Sequence, residues 1–225
     1  MGCKCNNSNI DKKTEMKPEI ISINQMPNNI NNNNNALLKS EEEYMIKYST
    51  YPEKIVELIN KIRQNPKEYA DVIEESIQNI ILEDNSLNPS KPKIIYKQKI
   101  KVALTRGEPA FREAVKELKN MTSIPPLKFK KEICIPLPDN EEEFKDSNNL
   151  RKKVQEILAK KIPINVFFKE LVKIPEVSAL LMIVDDNGKN SGKKRKAILN
   201  KHYKYIGVSF RFIGKKFISY FSFSK

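Results

Sequence analysis

Apolar positions recur at helical spacing through much of this chain and alternate strictly at its end. Ile55, Leu58, Ile59 and Ile62 fall three or four residues apart and predict a helix with one apolar face. Thr50 stands at its N-cap and Pro52 in its first turn, where a missing N–H goes unnoticed. Asn65-Pro66 ends it, because a proline pushes the residue before it out of the α region. Tyr69, Val72, Ile73, Ile77 and Ile80 predict a second helix. Gly107-Glu108-Pro109 reads as a turn into a third, which carries Phe111, Ala114, Val115 and Leu118. A basic amphipathic helix is expected over about 150–161, with Leu150, Val154, Ile157 and Leu158 on one side. Residues 165–184 are strongly apolar and read as largely helical.

The period then changes. Ile206, Val208, Phe210 and Phe212 alternate, as do Phe217, Ser219, Phe221 and Phe223, around a turn near Gly214. That pattern is a β-hairpin. Residues 84–106 read as irregular except for the strand-like run Ile94-Ile95-Tyr96, and prolines at 125, 126, 136 and 138 exclude a long element over 124–149. Helices first and strands last, around one core, define an α+β or three-layer α/β/α domain over 49–225.

Residues 1–48 read differently. The run Asn28–Asn35, broken only by Ile30, cannot bury a core and predicts disorder. As a flexible coil, the linker over 6–40 spans roughly 30–35 Å. The chain opens Met1-Gly2-Cys3-Lys4-Cys5. Loss of Met1 exposes Gly2 to myristate, and Cys3 and Cys5 stand where palmitate is added, although Asn6 replaces the usual Ser or Thr of the motif. One myristoyl chain binds a membrane only marginally, so these cysteines would supply the second signal that stable anchoring needs. The expected tail is thus acylated and Asn-rich. With no secretory h-region and no run of roughly 18 apolar residues, the expected location is the cytoplasm, peripheral on a membrane, with the cilium or cytoskeleton as the alternative. With Cys134 the remaining cysteine, a disulfide framework is excluded, and Cys134 between Ile133 and Ile135 reads as a small buried apolar residue.

The net charge is +13. Residues 1–50 hold six Lys (4, 12, 13, 17, 39, 47) and six acids (11, 15, 19, 41, 42, 43), so the whole excess lies in 51–225. A body this basic is drawn to an acidic partner: an anionic membrane surface or an acidic protein surface such as tubulin. Two clusters are the candidate contacts, Arg151, Lys152 and Lys153 on the basic helix and Lys193, Lys194, Arg195 and Lys196 farther on. Aromatics are not interleaved with either, which argues against nucleic acid.

Four blocks in order resemble the CAP superfamily (SCP-like, cysteine-rich secretory and pathogenesis-related domains), and more narrowly its disulfide-free branch. The first is Glu57-Leu58-Ile59-Asn60-Lys61-Ile62-Arg63-Gln64-Asn65-Pro66. The second is Gly107-Glu108-Pro109-Ala110-Phe111-Arg112-Glu113-Ala114-Val115 with Pro126-Leu127 beyond it. The third is Ile183-Val184-Asp185-Asp186-Asn187-Gly188. The fourth is Lys194-Arg195-Lys196-Ala197-Ile198-Leu199 followed by Tyr205-Ile206-Gly207-Val208. The resemblance implies a three-layer α-β-α sandwich. An acylated terminus on such a domain also resembles the Golgi-associated, cytosol-facing members of the superfamily.

Family members with a metal-binding cleft gather two His and two Glu there. This chain has one histidine, His202, and Lys194 stands where the branch has the His of its His-Arg pair. A lysine ammonium donates and cannot ligate a metal at neutral pH. Asp185 and Asp186, in a turn before Asn187-Gly188, are read as structural. No catalytic residue, metal or cofactor is therefore assigned. The expected function is a non-catalytic, membrane-tethered binding or scaffold module of a degenerate CAP-like domain. The alternatives are a structural protein of a microtubule-based ciliary or axonemal lattice, and a weak lipid or sterol binder.

Overall fold

The computed structural model describes residues 43–82, 92–96, 100–146, 148–187 and 192–225. After a short helical turn over 43–47 come α1 (Tyr51–Gln64) and α2 (Pro66–Ile77), separated at Asn65. Asn65 leaves the helical region at φ −127° and ψ 61°, as its following proline requires. Tyr51, Ile55, Ile59 and Ile62 are buried along α1. Each such side chain contributes about 1.5–3 kcal/mol by leaving water. Thr50 occupies the N-cap position, but its side chain makes no capping bond.

Three short strands follow, β1 (Ile80–Leu82), β2 (Pro92–Tyr96) and β3 (Ile100–Ala103), paired antiparallel in that order. Ile80 therefore belongs to a strand and not to the end of α2. Only the middle strand of this sheet carried a sequence signal, since three- and four-residue strands hold too few alternations to register. Then come α3 (Glu108–Lys119), β4 (Lys128–Phe129), a 3₁₀ turn (Lys131–Ile133), α4 (Glu141–Lys145) and α5 (Asn149–Ala159). The strongly apolar stretch expected to be helical divides into β5 (Val166–Glu170) and α6 (Pro175–Val184). A continuous apolar run does not distinguish a buried strand from a buried helix, and the break falls before Pro175, the first residue of α6. The chain ends with α7 (Lys193–Ile198) and the long strands β6 (Tyr205–Ile213) and β7 (Lys216–Ser224).

The larger sheet has the order β4-β6-β7-β5. The β6–β7 hairpin runs in register from Tyr205↔Ser224 to Ile213↔Lys216, and Gly214 turns it at φ 58°. Both faces of this sheet are covered. Ile206, Val208 and Phe212 of β6 and Phe217, Phe221 and Phe223 of β7 join the main core with α1 and α6. Ile213, Ile218 and Tyr220 point the other way and pack with Ile135 and with Val154 and Ile157 of α5 in a second core. Leu158, expected on that same apolar side, is instead 45% exposed. The α+β class read from the sequence holds, and Cys134 is a free thiol.

Candidate functional site

Buried polar side chains join the four sequence blocks. Asn60 on α1 accepts from the Leu127 N–H at 2.7 Å and donates to the Leu127 carbonyl at 3.0 Å, clamping the chain after Pro126. Arg63, one turn on, is 0% exposed. Its Nε donates to the Pro125 carbonyl at 2.8 Å, its Nη1 to those of Ile198 and Asn200, and its Nη2 to that of Tyr203. No carboxylate is bonded to it among the described residues. Burial pushes the guanidinium down to about 10, still far above neutrality, so it stays charged.

The second and third blocks meet ahead of α3. The Asp186 carboxylate accepts from the N–H groups of Thr105, Arg106 and Gly107. Asp185 ends α6 in the left-handed region at φ 47° and accepts from the Lys194 N–H at 2.8 Å. Burial raises both carboxyls above their ordinary range, while these N–H groups oppose it. The two acids thus brace other segments of backbone.

The fourth block docks through Arg195, which is 1% exposed. Its Nε and Nη2 each donate at 2.6 Å, to Glu117 and to Glu113 of α3. Its Nη1 donates to the carbonyls of Ile183 and Val184 at the end of α6. Farther along, Gly207 passes so close to the 3₁₀ turn that a Cβ there would lie 2.8 Å from the Ile133 carbonyl.

Beside Arg195, the Lys194 ammonium donates to Glu170 at 2.9 Å and lies 5.7 Å from the Phe168 ring centre. Their side chains are 23% and 11% exposed. Burial opposes the lysine's charge, but Glu170, with Asp185 behind it, outweighs this and raises its pKa above the ordinary lysine range. A polar chain continues inward. The Glu170 carbonyl accepts from Ser219, whose Oγ lies 3.4 Å from the Tyr51 hydroxyl, and Tyr51 also reaches Ser178 at 3.1 Å. Sequence reasoning did not single out Glu170, although it is the one acid in the run 162–175, and a lone acid in an apolar stretch calls for a cation opposite.

Burial lifts the Tyr51 phenol well above its ordinary 10, and pushes that of Tyr220 up to about 12. A phenol whose folded pKa exceeds its unfolded one contributes stability that is fully present below pH 10 and lost as pH rises. The expected result is an unfolding free energy that falls above pH 10, with a shallower fall in Tyr51→Phe. An unchanged slope in that variant, measured by urea titration at several pH values, would contradict the assignment.

The expected anionic-partner residues are not equivalent. Lys193 and Lys196 of α7 are exposed, as are Arg151 and Lys152 of α5, whereas Lys153 is half-buried. Lys194 and Arg195 are corrections: both are turned inward and held by acids, so neither offers a free charge. Lys152 pairs with Asp146 at 2.9 Å and Lys153 with Glu143 at 3.6 Å. The two clusters also fail to make one surface. Ile198 of α7 enters the main core and Val154 of α5 the second, on opposite faces of the larger sheet. Gly2, Cys3 and Cys5, with the rest of the expected tail up to residue 42, lie outside the described residues.

Among the described residues, Cys134 and His202 are engaged or isolated. Cys134 Sγ faces the carbonyls of Val208 and Lys130, and burial pushes its thiol up, away from the reactive thiolate. His202 is exposed in a turn, its N–H bonded to Asn200 Oδ1 at 2.9 Å. The donor set around Lys194 does not suit a metal ion. The Lys194 ammonium already occupies Glu170, and a second cation, Arg195, is held by Glu113 and Glu117. No family model, curated protein or solved structure matches the chain. Among the described residues no helix is long and apolar enough to cross a membrane.

Proposed function

We propose that this chain is a degenerate CAP-like domain, a three-layer α-β-α sandwich, that works as a non-catalytic binding or scaffold module tethered to the cytoplasmic face of a membrane. The observation that carries the non-catalytic half is the Lys194–Glu170 pair. At the position where the resemblance calls for a metal-ligating histidine, the side chain is a cation held by an acid at 2.9 Å. The interlocking of the four blocks supports the fold. Asn60, Arg63, Glu113, Asp185, Asp186 and Arg195 each bond into another block, as the frame of one domain requires. The tether rests on Gly2, Cys3 and Cys5. Of the two clusters, Lys193, Lys196 and Arg151 are the exposed cations available to an acidic partner.

Detergent extraction of cells separates this reading from a cytoskeletal one. A lipid-held protein is expected in the membrane fraction and is released by non-ionic detergent. Retention with the cytoskeleton after detergent would overturn the tether and favour the microtubule lattice. Lys193→Glu with Lys196→Glu is expected to weaken partner association while leaving the melting temperature within a few degrees, because surface substitutions shift stability by about 0.5 kcal/mol or less. Lys194 is left out of that variant, since its loss would strand Glu170 and read as unfolding.

A further inference from the structure

A third basic surface, outside both sequence clusters, forms at the open edge of the larger sheet. β4 is the edge strand, paired only with β6 among the described residues. The Lys128 N–H donates to the Lys204 carbonyl at 2.8 Å and the Lys130 N–H to that of Ile206 at 2.9 Å. These bonds bring Lys128, Lys130, Lys131 and Lys204 to one rim. None of the four pairs with an acid among the described residues, and Glu132 is the one acid over 127–135. Between Lys128 and Lys130 in the chain, and on the other face of the edge strand, Phe129 is 51% exposed, although its register partner Ile206 is fully buried. The Lys130 ammonium lies 4.9 Å from the Tyr205 ring centre and covers it.

The geometry points to this rim as a docking surface for an anionic phospholipid bilayer. An exposed aromatic ring beside unpaired lysines on an open sheet edge matches the layered chemistry of a membrane surface, with phosphate charge outside and acyl chains a few ångströms below. A single-stranded nucleic acid fits less well, because it needs a succession of free ring faces, and here Tyr205 is covered and Phe129 alone is open. The inference rests on the membrane reading above for the class of surface, but not on acylation.

The test uses the full chain carrying Gly2→Ala, so that no acyl chain contributes. Its binding is measured by co-sedimentation with phosphatidylcholine vesicles, with and without phosphatidylserine. Binding is expected only with phosphatidylserine. Lys128→Glu with Lys131→Glu and Lys204→Glu is expected to weaken it by about fivefold for each lysine lost. The control Lys54→Glu with Lys67→Glu and Lys116→Glu makes the same change in net charge on exposed positions of α1, α2 and α3. It is expected to bind at least tenfold more tightly than the rim variant. Because β4 is short, Lys130→Gln with Lys204→Gln provides a milder rim variant that leaves the strand untouched. Equal weakening by rim and control changes, or equal binding to uncharged vesicles, would overturn the assignment. So would rim variants that lose affinity for single-stranded nucleic acid while keeping it for vesicles. Failure of the acyl tether in cells would leave the vesicle result unaffected.

Discussion

Arg63→Ala is expected to lower the unfolding free energy by about 3–5 kcal/mol in a urea titration. The side chain is fully buried and serves four carbonyls from two distant stretches, at Pro125 and at Ile198, Asn200 and Tyr203. Truncation leaves a cavity and four acceptors without that donor, and each buried polar group left unbonded costs about 1–3 kcal/mol. A domain is stable by only about 5–15 kcal/mol, so the variant sits near the edge of folding. Arg63→Lys is expected to recover little, because a point ammonium cannot reach carbonyls placed around a planar fork. A loss below about 1 kcal/mol would mean that water or neighbouring groups replace the guanidinium, and that Arg63 is not a structural tie.

Arg195→Ala is expected to cost a similar 3–5 kcal/mol, for a different reason. Its guanidinium stands between Glu113 and Glu117 of α3 while also holding the last carbonyls of α6. Removal leaves two carboxylates on one helix turn facing each other, with Arg106 still on Glu113. Adding Glu113→Gln and Glu117→Gln to the variant is expected to recover about 1–2 kcal/mol, since the repulsion goes but the α6 carbonyls stay bare. The pH dependence follows the same pair. The Arg106 hydrogen bond, with Arg195 adding to it against burial, holds the Glu113 carboxyl below its ordinary range. A depressed carboxyl contributes stability present above its unfolded pKa and lost as pH falls through the folded one. Arg195→Ala should therefore flatten part of the acid limb, modestly, because Glu113 is 44% exposed. A full-size acid limb in the variant would place the linkage elsewhere.

The two residues explain what the sequence could and could not convey. Period located α1, α3, α5 and the terminal hairpin, because each buries one face and each face repeats at its element's spacing, and Pro66 located the break at Asn65. It misassigned the stretch containing β5, since Val166, Phe167 and Phe168 pack on both sides of their strand and so show no alternation. The cations were harder. Lys193, Lys194, Arg195 and Lys196 look alike in a row, yet a helix turns successive residues about 100° apart, so two face solvent and two face acids. The acids that decide the matter, Glu113, Glu117 and Glu170, lie between 24 and 82 residues away along the chain. No local pattern reports such a pairing. The edge rim was equally hidden, because Lys204 reaches Lys128 only through the parallel β4–β6 pairing.

We propose that the folded body is a frame that the terminal glycine and cysteines carry to a membrane. The most direct measurement is the location of the full-length protein in cells with and without Gly2. A membrane-bound protein that moves to the cytosol as Gly2→Ala is expected. Membrane fractionation unchanged by that substitution would contradict it.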